Sequence, residues 1–329
     1  MKVAVFSTKY YEREYLNNYN KENRHQLTFF EMALNTQTVY LVTAFDAVCI
    51  QLTDIIDTAV IAKLSKSGIK LIALRSAGYD NVDIKAALKS KITIMRVPAY
   101  SPQAIAEHAV ALILTLDRKT HKAYNRVREN NFSLQNLMGF NLDGKTIGVV
   151  GTGKIGAVFC KIMLGFGCKI IAFDLIESKV LIRKGVHYNT FDKLLENSDI
   201  ISIHCPLTPK TRHLFNKKAF SKMKPGMMLI NTSRGALINT SDAIIALKKR
   251  IIGYLGIDVY EGEEKIFFKD LSAAVIKDDL IERLMSFNNV LITPHQAFFT
   301  YEALSEIARI TIENFSNFEN DVHLENKIN

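Results

Sequence analysis

Short runs of β-branched and other apolar residues alternate along the chain with longer stretches in which apolar positions recur every three or four residues. Such near-continuous runs are typical of parallel strands buried on both faces, and the longer stretches indicate the helices that cover them. The first series of runs predicts strands at residues 2–6, 39–42, 47–50, 70–74 and 92–97. The second predicts strands at residues 146–150, 169–173, 200–204, 228–231, 255–258 and 290–293. Two doubly wound α/β units with parallel sheets are therefore expected.

The two series meet at a proline-bounded junction. Ser101 suits a helix N-cap and Pro102 suits the first helical position. A helix is predicted over residues 103–116, and the chain closes on a second long helical pattern at residues 301–318. This arrangement predicts a discontinuous first domain, which the last helix completes, with a second domain inserted into it. The predicted domains are residues 1–100 together with 299–329, and residues 101–298.

Composition narrows the class of protein. The 329 residues are 48% hydrophobic and 23% charged, as in ordinary globular proteins. The net charge is +9, but the sequence has no basic tail and no zinc-finger spacing that would indicate nucleic-acid binding. The longest strongly apolar run, residues 109–116, is too short to span a bilayer, and the amino-terminal apolar run is too short for a signal peptide. The four cysteines lack zinc-binding spacing. We expect a cytoplasmic protein with no metal, nucleic-acid or membrane partner.

A dinucleotide-binding fingerprint opens the second series. The strand at residues 146–150 is followed by Gly151, Gly153 and Gly156 in the spacing G-x-G-x-x-G, and a helical pattern comes next. The following strand ends at Asp174, 18 residues beyond the last glycine. In this context the glycines allow a tight turn, close approach of a pyrophosphate and close helix packing, and the acid accepts the ribose hydroxyls. Asp174 would repel a 2′-phosphate, so NAD is favoured over NADP.

Three charged residues follow predicted strands of the second series: Arg234, Glu263 and His295. Ligands in open α/β sheets bind beyond the carboxyl ends of strands, so these side chains are candidates for one site. Arginine offers a planar fork to a carboxylate, histidine donates a proton near neutral pH, and a neighbouring carboxylate orients the histidine and favours its charged form. On chemistry alone, each could also be an ordinary surface or loop residue.

The chain resembles the D-isomer-specific 2-hydroxyacid dehydrogenases along its whole length. Besides the fingerprint and Asp174, the resemblance rests on H-C-P-L-T at 204–208, N-T-S-R-G-A at 231–236, P-H-Q-A at 294–297, R-S-A-G-Y-D-N-V-D at 75–83 and V-P-A-Y-S-P at 97–102. Within that family it is most similar to the bacterial fermentative D-lactate dehydrogenases, because of residues 97–100, D-V-Y-E-G-E at 258–263 and the long stretch 267–284. The resemblance implies a Rossmann NAD-binding domain inserted in a flavodoxin-like substrate domain.

Residue roles follow from the resemblance. It implies that Arg234 binds the substrate carboxylate and carbonyl, that His295 is the acid–base group, and that Glu263 is the partner of His295. It implies that the substrate also meets the backbone N–H groups of Ala77 and Gly78, from the opposite domain, and the side chains of Tyr100 and Phe298. The implied cofactor contacts are Gly151, Gly153, Lys154, Ile155, Gly156, Asp174, Cys205, Pro206, Thr211, Thr232, Ser233 and Asp258, the last of which would lie near the nicotinamide.

The expected reaction is NAD-dependent reduction of pyruvate to D-lactate. One alternative is a broader 2-hydroxyacid dehydrogenase that acts on branched or aromatic 2-oxoacids. Another is an NADH-sensing, corepressor-like binding protein with feeble turnover. Residues 121–143 resemble the arm through which family members dimerise, so a homodimer or homotetramer is expected.

Overall fold

Strands with apolar side chains on both faces form two separate parallel sheets. The computed structural model describes residues 1–322 and 324–329. The chain divides into one unit made of Met1–Ser101 and Phe299–Asn329, and a second unit made of Pro102–Phe298. The predicted fold class, two doubly wound α/β units with parallel sheets, is confirmed.

Over its described residues, the first unit has five strands and four α-helices. The strands are β1 (Lys2–Val5), β2 (Gln26–Phe29), β3 (Ala47–Ile50), β4 (Leu71–Leu74) and β5 (Thr93–Met95). The helices are α1 (Tyr10–Tyr19), α2 (Thr58–Lys66), α3 (Ile84–Lys89) and α12 (Tyr301–Glu319). The sheet order is β2-β1-β3-β4-β5 with parallel pairing throughout, which is the flavodoxin-like order.

The carboxyl-terminal helix belongs to the first core. Thr300 caps α12 by accepting a hydrogen bond from the backbone N–H of Ala303. The buried face of the helix includes Ala308 and Phe315, which pack in one apolar cluster with Val3 and other residues of the sheet. Burial of this face explains why the last helix folds with the first hundred residues.

The strand predicted at residues 39–42 is wrong. Val39–Val42 forms a turn of 3-10 helix. The Asn35 side chain accepts hydrogen bonds from the backbone N–H groups of Gln37 and Thr38, which starts a helical turn. Val39 and Val42 are three positions apart and both buried, so the turn directs them to the same side. A four-residue apolar run cannot by itself distinguish this arrangement from a strand.

The second unit has seven strands and eight helices. The strands are β6 (Thr146–Val150), β7 (Lys169–Phe173), β8 (Val186–Tyr188), β9 (Ile200–Ile203), β10 (Met227–Asn231), β11 (Ile252–Ile257) and β12 (Val290–Ile292). The helices are α4 (Pro102–Arg118), α5 (Thr120–Arg128), α6 (Lys154–Gly165), α7 (Lys179–Arg183), α8 (Phe191–Asn197), α9 (Lys217–Phe220), α10 (Thr240–Lys248) and α11 (Asp279–Met285). The sheet order, β12-β11-β10-β9-β6-β7-β8, is the Rossmann order with one further strand at its edge.

All strand pairs of the second sheet are parallel. Their carboxyl ends therefore meet at one edge, and the segments that follow β6, β7, β9, β10, β11 and β12 share that edge. None of the helices described has the length and apolar character needed to cross a membrane.

Candidate active site

The segments that follow β11 and β12 bring His295 and Glu263 together. His295 Nδ1 lies 2.9 Å from Glu263 Oε1, and the other carboxylate oxygen accepts a hydrogen bond of 2.9 Å from the backbone N–H of Tyr260. Both side chains are largely buried. Because the carboxylate accepts a hydrogen bond from Nδ1–H, Nε2 is the ring nitrogen left to act on a ligand.

A hydrogen-bond network next to the His295–Glu263 pair, hereafter the dyad, holds the His295 backbone in an uncommon conformation. His295 has φ of 55°, in the left-handed region, and its N–H donates to Asp258 O at 2.8 Å. The fully buried Asp258 carboxylate accepts hydrogen bonds from Thr293 Oγ1 at 2.5 Å, Gln296 N at 2.9 Å and Ala297 N at 2.8 Å. These bonds stabilise the turn that presents the imidazole. Contact between Asp258 and a nicotinamide stays a prediction.

Two neighbours of the dyad escaped sequence reasoning. His108 on α4 lies with Nε2 3.0 Å from Thr293 Oγ1 and 3.4 Å from Asp258 Oδ1. Phe268 packs its ring 5.9 Å from the His295 ring, and Phe298 approaches the same ring edge-on at 6.5 Å. The sequence signal for His108 was its place on a long helix beside Glu107, which does not reveal a partner far along the chain. Nothing in the local pattern singled out Phe268.

Arg234 stands on the neighbouring segment, after β10. Asn231 holds that segment in shape, because its side-chain amide donates to Arg234 O at 2.9 Å and its oxygen accepts from Ser233 N at 3.0 Å. Arg234 Nη1 donates to Ser233 O at 2.8 Å. Gly235 directly contacts the segment that follows β11, because a Cβ on Gly235 would collide with the backbone of Tyr260 and Glu261. Arg234 and the dyad thus follow three successive strands of one sheet edge.

The fingerprint glycines have the geometry that a pyrophosphate site requires. Gly151 has φ of 95°, and a Cβ there would lie 2.6 Å from the backbone nitrogen of Cys205. Gly156 packs against the carbonyl of Gly151 with no room for a side chain. At Gly153, by contrast, an added Cβ would meet no atom within 4 Å beyond its immediate chain neighbours in the part of the chain described, so the backbone at the start of α6 is open to a ligand.

Asp174 lies beside the fingerprint turn, at the end of β7. Its Oδ2 accepts hydrogen bonds from Thr152 N at 2.6 Å and Thr152 Oγ1 at 3.1 Å, and its Oδ1 accepts from Ile176 N at 3.3 Å. Burial acts to raise the pKa of Asp174, but these hydrogen bonds hold that pKa below its ordinary value. Asp174 is therefore an ionised acceptor next to the pyrophosphate turn.

Other predicted cofactor residues surround the same edge. Ser233 Oγ donates to Cys205 O at 2.7 Å, which ties the segment after β10 to the segment after β9. Burial raises the pKa of the Cys205 thiol to about 11, so it is a packing group and not a nucleophile. Thr232 Oγ1 is buried and finds no hydrogen-bond partner within the described chain. A buried hydroxyl of this kind fits a ligand that supplies the missing bond.

The remaining predicted contacts are more accessible. Lys154 is exposed at the first position of α6, with the half-buried Ile155 behind it. Pro206 is exposed, and its carbonyl accepts a 2.7 Å hydrogen bond from Thr211 Oγ1. His204 packs its ring 4.9 Å from Phe159, and desolvation by burial lowers the pKa of His204 to about 3. His204 is thus a neutral packing residue at this edge.

The predicted substrate residues of the first unit lie after β4 and β5. Arg75 is fully buried and forms a 2.9 Å ion pair with Glu12, which anchors the start of the segment. Arg96 Nη1 then donates to Ala77 O at 2.7 Å, and Ser76 Oγ donates to Gly78 O at 2.8 Å. Tyr100 is half-buried at the end of the unit. The backbone carbonyls of Ala77 and Gly78 are thereby engaged by side chains of their own unit.

Comparison with known proteins agrees with this geometry. The family model for the D-isomer specific 2-hydroxyacid dehydrogenase NAD binding domain matches residues 110–297. A 2-hydroxyacid dehydrogenase homolog of Haemophilus influenzae is 50% identical over 314 residues, which cover 95% of each chain. The D-lactate dehydrogenase of Escherichia coli is 49% identical over 319 residues, which cover 97% of each chain. The apo-structure of the Escherichia coli D-lactate dehydrogenase superposes with a TM-score of 0.90 and 46% identity, covering 100% of each chain.

A Rossmann unit with an aspartate beside its fingerprint turn, and with Arg234, Glu263 and His295 following three successive strands, is typical of an NAD-dependent oxidoreductase. The chain belongs to the D-isomer specific 2-hydroxyacid dehydrogenases. Within the described residues, no group of three or more His, Cys, Asp or Glu side chains is placed to hold a metal ion.

Proposed function

We propose that the protein is a D-lactate dehydrogenase, which reduces pyruvate with NADH and H⁺ to D-lactate and NAD⁺. The observation that carries the proposal is the 2.9 Å contact between His295 Nδ1 and Glu263 Oε1, at a sheet edge shared with Arg234. The high identity to the Escherichia coli enzyme over nearly the whole chain supports the choice of substrate.

In this mechanism His295 Nε2 donates a proton to the carbonyl oxygen of pyruvate, and in the reverse direction the neutral ring removes the hydroxyl proton of D-lactate. Glu263 keeps the proton on Nδ1 and stabilises the imidazolium. Arg234 binds the substrate carboxylate and stabilises negative charge at the reacting oxygen. NADH supplies the hydride when bound. Phe268 and Phe298, whose rings flank His295, exclude water from its neighbourhood.

The two units have different roles in the proposal. The inserted unit, residues 101–298 in the predicted division, binds NAD through the fingerprint, Asp174 and the segments after β9 and β10. The discontinuous unit, residues 1–100 and 299–329, is the substrate domain. In the proposal it contributes the backbone N–H groups of Ala77 and Gly78 and the Tyr100 side chain.

Steady-state assays with four 2-oxoacids test the function. We expect the highest kcat/KM with pyruvate, followed by hydroxypyruvate, 2-oxoisocaproate and phenylpyruvate, and chiral chromatography should identify the product as D-lactate. A higher kcat/KM with 2-oxoisocaproate or phenylpyruvate would instead assign the broader 2-hydroxyacid dehydrogenase. Tight NADH binding without turnover of any of the four would assign a sensing protein.

Cofactor choice should depend on Asp174. Replacement of Asp174 with serine, combined with Leu175→Arg, is expected to lower kcat/KM for NADH about 10–100-fold, the effect of losing charged hydrogen bonds of about 1.5–3 kcal/mol. The same change should raise kcat/KM for NADPH, because it removes a repulsive carboxylate and adds a phosphate-binding fork. The measurement is kcat/KM for both cofactors at saturating pyruvate.

The matched control for that change is Glu177→Ser, which removes the same charge from an exposed side chain in the same loop. It should leave the ratio of NADH to NADPH efficiency unchanged. A wild-type enzyme that already prefers NADPH would contradict the assignment of Asp174.

The proposal includes a fermentative role in the cytoplasm as a homodimer or homotetramer. The four cysteines are free, buried thiols, which suits a reducing compartment. Residues 121–143 expose several large apolar side chains, and such clusters mark association surfaces. They are Tyr124, Val127, Phe132, Leu134 and Met138. Light scattering at micromolar concentration is expected to give at least twice the mass of one chain, and a mass of one chain would refute the oligomer.

A further inference from the structure

A second histidine–carboxylate pair lies two residues from the catalytic glutamate. His213 Nε2 is 2.5 Å from Glu261 Oε1, and both side chains are about three-quarters buried. The same oxygen is 3.3 Å from Arg212 Nη2, and Thr240 Oγ1 donates to the other oxygen at 3.4 Å. The Glu261 carboxylate is thus bound to His213, whereas the Glu263 carboxylate contacts His295.

The ring of His213 is held in one orientation. Its Nδ1 faces the side-chain amide nitrogen of Asn239 at 3.5 Å and accepts from it, so Nε2–H donates the hydrogen bond that Glu261 accepts. The backbone of His213 has φ of 52°, a left-handed conformation that histidine tolerates better than most residues. The carbonyl of His213 accepts a 2.8 Å hydrogen bond from the Asn216 side chain. The segment after β9 thus presents a fixed donor to Glu261.

The same residue also binds the segment that carries the substrate arginine. His213 N donates to Ala236 O at 2.8 Å, two residues beyond Arg234. Gly235, which lies between Arg234 and Ala236, touches the backbone of Tyr260 and Glu261 and leaves no space for a side chain. His213 and Gly235 therefore connect the arginine segment to the segment that bears Glu263.

Glu261 and Tyr260 both anchor the Glu263 segment to other parts of its unit. The Tyr260 hydroxyl donates to the Asp278 carboxylate at 2.8 Å, and its N–H orients Glu263 by donating to Glu263 Oε2 at 2.9 Å. Glu263 then contacts His295 through its remaining oxygen. Release of Glu261 would remove one of the side-chain contacts that fix this short segment.

We propose that His213 and Glu261 are positioning residues for the reaction, because the pair fixes the Arg234 and Glu263 segments relative to each other. The pair thereby keeps the Arg234 guanidinium in the correct position relative to the His295–Glu263 dyad. This inference rests on the proposed function and deepens it. Neither residue touches the reacting atoms, and their effect passes through Arg234 and Glu263. A catalytic group displaced by about 1 Å can lose on the order of 10²-fold in rate, so small movements of either segment matter.

Kinetics of Glu261→Ala and Glu261→Gln provide the first test. We expect Glu261→Ala to raise KM for pyruvate, because Arg234 is no longer held in position. The same change should lower kcat, because Glu263 no longer holds His295. The combined loss in kcat/KM should be about 10-fold or more. Glu261→Gln keeps an acceptor for His213 Nε2, so it should restore most of the wild-type kcat/KM. Glu264→Ala is the matched control, since it removes the same charge from an exposed side chain of the same segment.

The tautomer of His295 provides a second test that needs no substrate. Correlation of ring nitrogen and carbon-bound ring hydrogen signals by NMR reports which nitrogen of a neutral histidine carries the proton, and His295→Gln assigns the signals. In the wild type, Glu263 should hold the proton on Nδ1. In Glu261→Ala, a mixture of both tautomers is expected. His213→Asn should give the same mixture, because asparagine tolerates the left-handed backbone but is too short to reach Glu261.

These measurements separate the possible failures. A variant that is merely less folded has a lower apparent kcat, with KM and the tautomer of the folded fraction unchanged, and this result would overturn the inference. Wild-type values for KM, kcat and tautomer in both Glu261→Ala and His213→Asn would also overturn it, as would a Glu261→Gln enzyme as impaired as Glu261→Ala. A wild-type protein that fails to reduce pyruvate, with the tautomer change still present in the variants, would remove the proposed function but leave the positioning role.

Discussion

Replacement of Arg234 by lysine is expected to lower kcat/KM for pyruvate about 10²–10³-fold, although the positive charge is kept. Lysine is a compact ammonium on a flexible stem and cannot form the planar two-bond fork that a carboxylate accepts. KM should rise and kcat should fall, because the group acts on the bound substrate and on the charge that develops at its oxygen. Steady-state kinetics at saturating NADH measure both effects.

The control for this substitution is Arg183→Lys, which makes the same exchange at an exposed position on α7. It should leave pyruvate kinetics unchanged. The NADH dissociation constant of Arg234→Lys, measured by fluorescence, should also stay near the wild-type value, since Arg234 is assigned to the substrate. Kinetics of Arg234→Lys close to those of the wild type would mean that another group binds the carboxylate.

Most strands were predictable because parallel strands buried on both faces leave a local signature. β3, β4 and β9 are fully buried runs of four residues, and the sequence predicted each within one residue. The edge strands β2 and β8 were missed for the opposite reason. β2 alternates exposed and half-buried side chains, and β8 has only three residues, so neither gives a continuous apolar run. The error at Val39–Val42 arose where a short apolar run packs through a single helical turn.

Site residues were predictable where the chemistry lies in a local motif. The fingerprint glycines sit in a fixed spacing, and their separate roles in turn, ligand approach and packing can be inferred from that spacing. The network next to the dyad has no such signal, because its members are far apart in the chain. His108 reaches Thr293 across 185 positions, and His213 reaches Glu261 across 48. The sheet order, which brings β9, β10, β11 and β12 side by side, and the packing of α4 against β11 and β12 make these contacts possible.

The largest loss of activity is expected at the dyad itself. His295→Gln should lower kcat for pyruvate reduction about 10²–10⁴-fold, the usual contribution of a general acid. D-lactate oxidation should fall by a similar factor, because the neutral ring removes the hydroxyl proton in that direction and glutamine cannot. NADH binding should be unchanged.

Glu263→Gln removes the charge of the partner with little change in its size. The amide oxygen can accept from only one of the two donors that the carboxylate serves, His295 Nδ1 and Tyr260 N. The charge that stabilises the imidazolium is lost in either case, so kcat for pyruvate reduction should fall, although less than in His295→Gln. The measurement is kcat under conditions where the chemical step limits the rate, with Glu264→Gln as the control for loss of one charge from the same segment. Equal kcat values for the wild type and Glu263→Gln would show that the Glu263 charge does not act on His295. The fully buried carboxylate of Asp258, whose backbone oxygen lies 2.8 Å from His295 N, would then be the next group to examine.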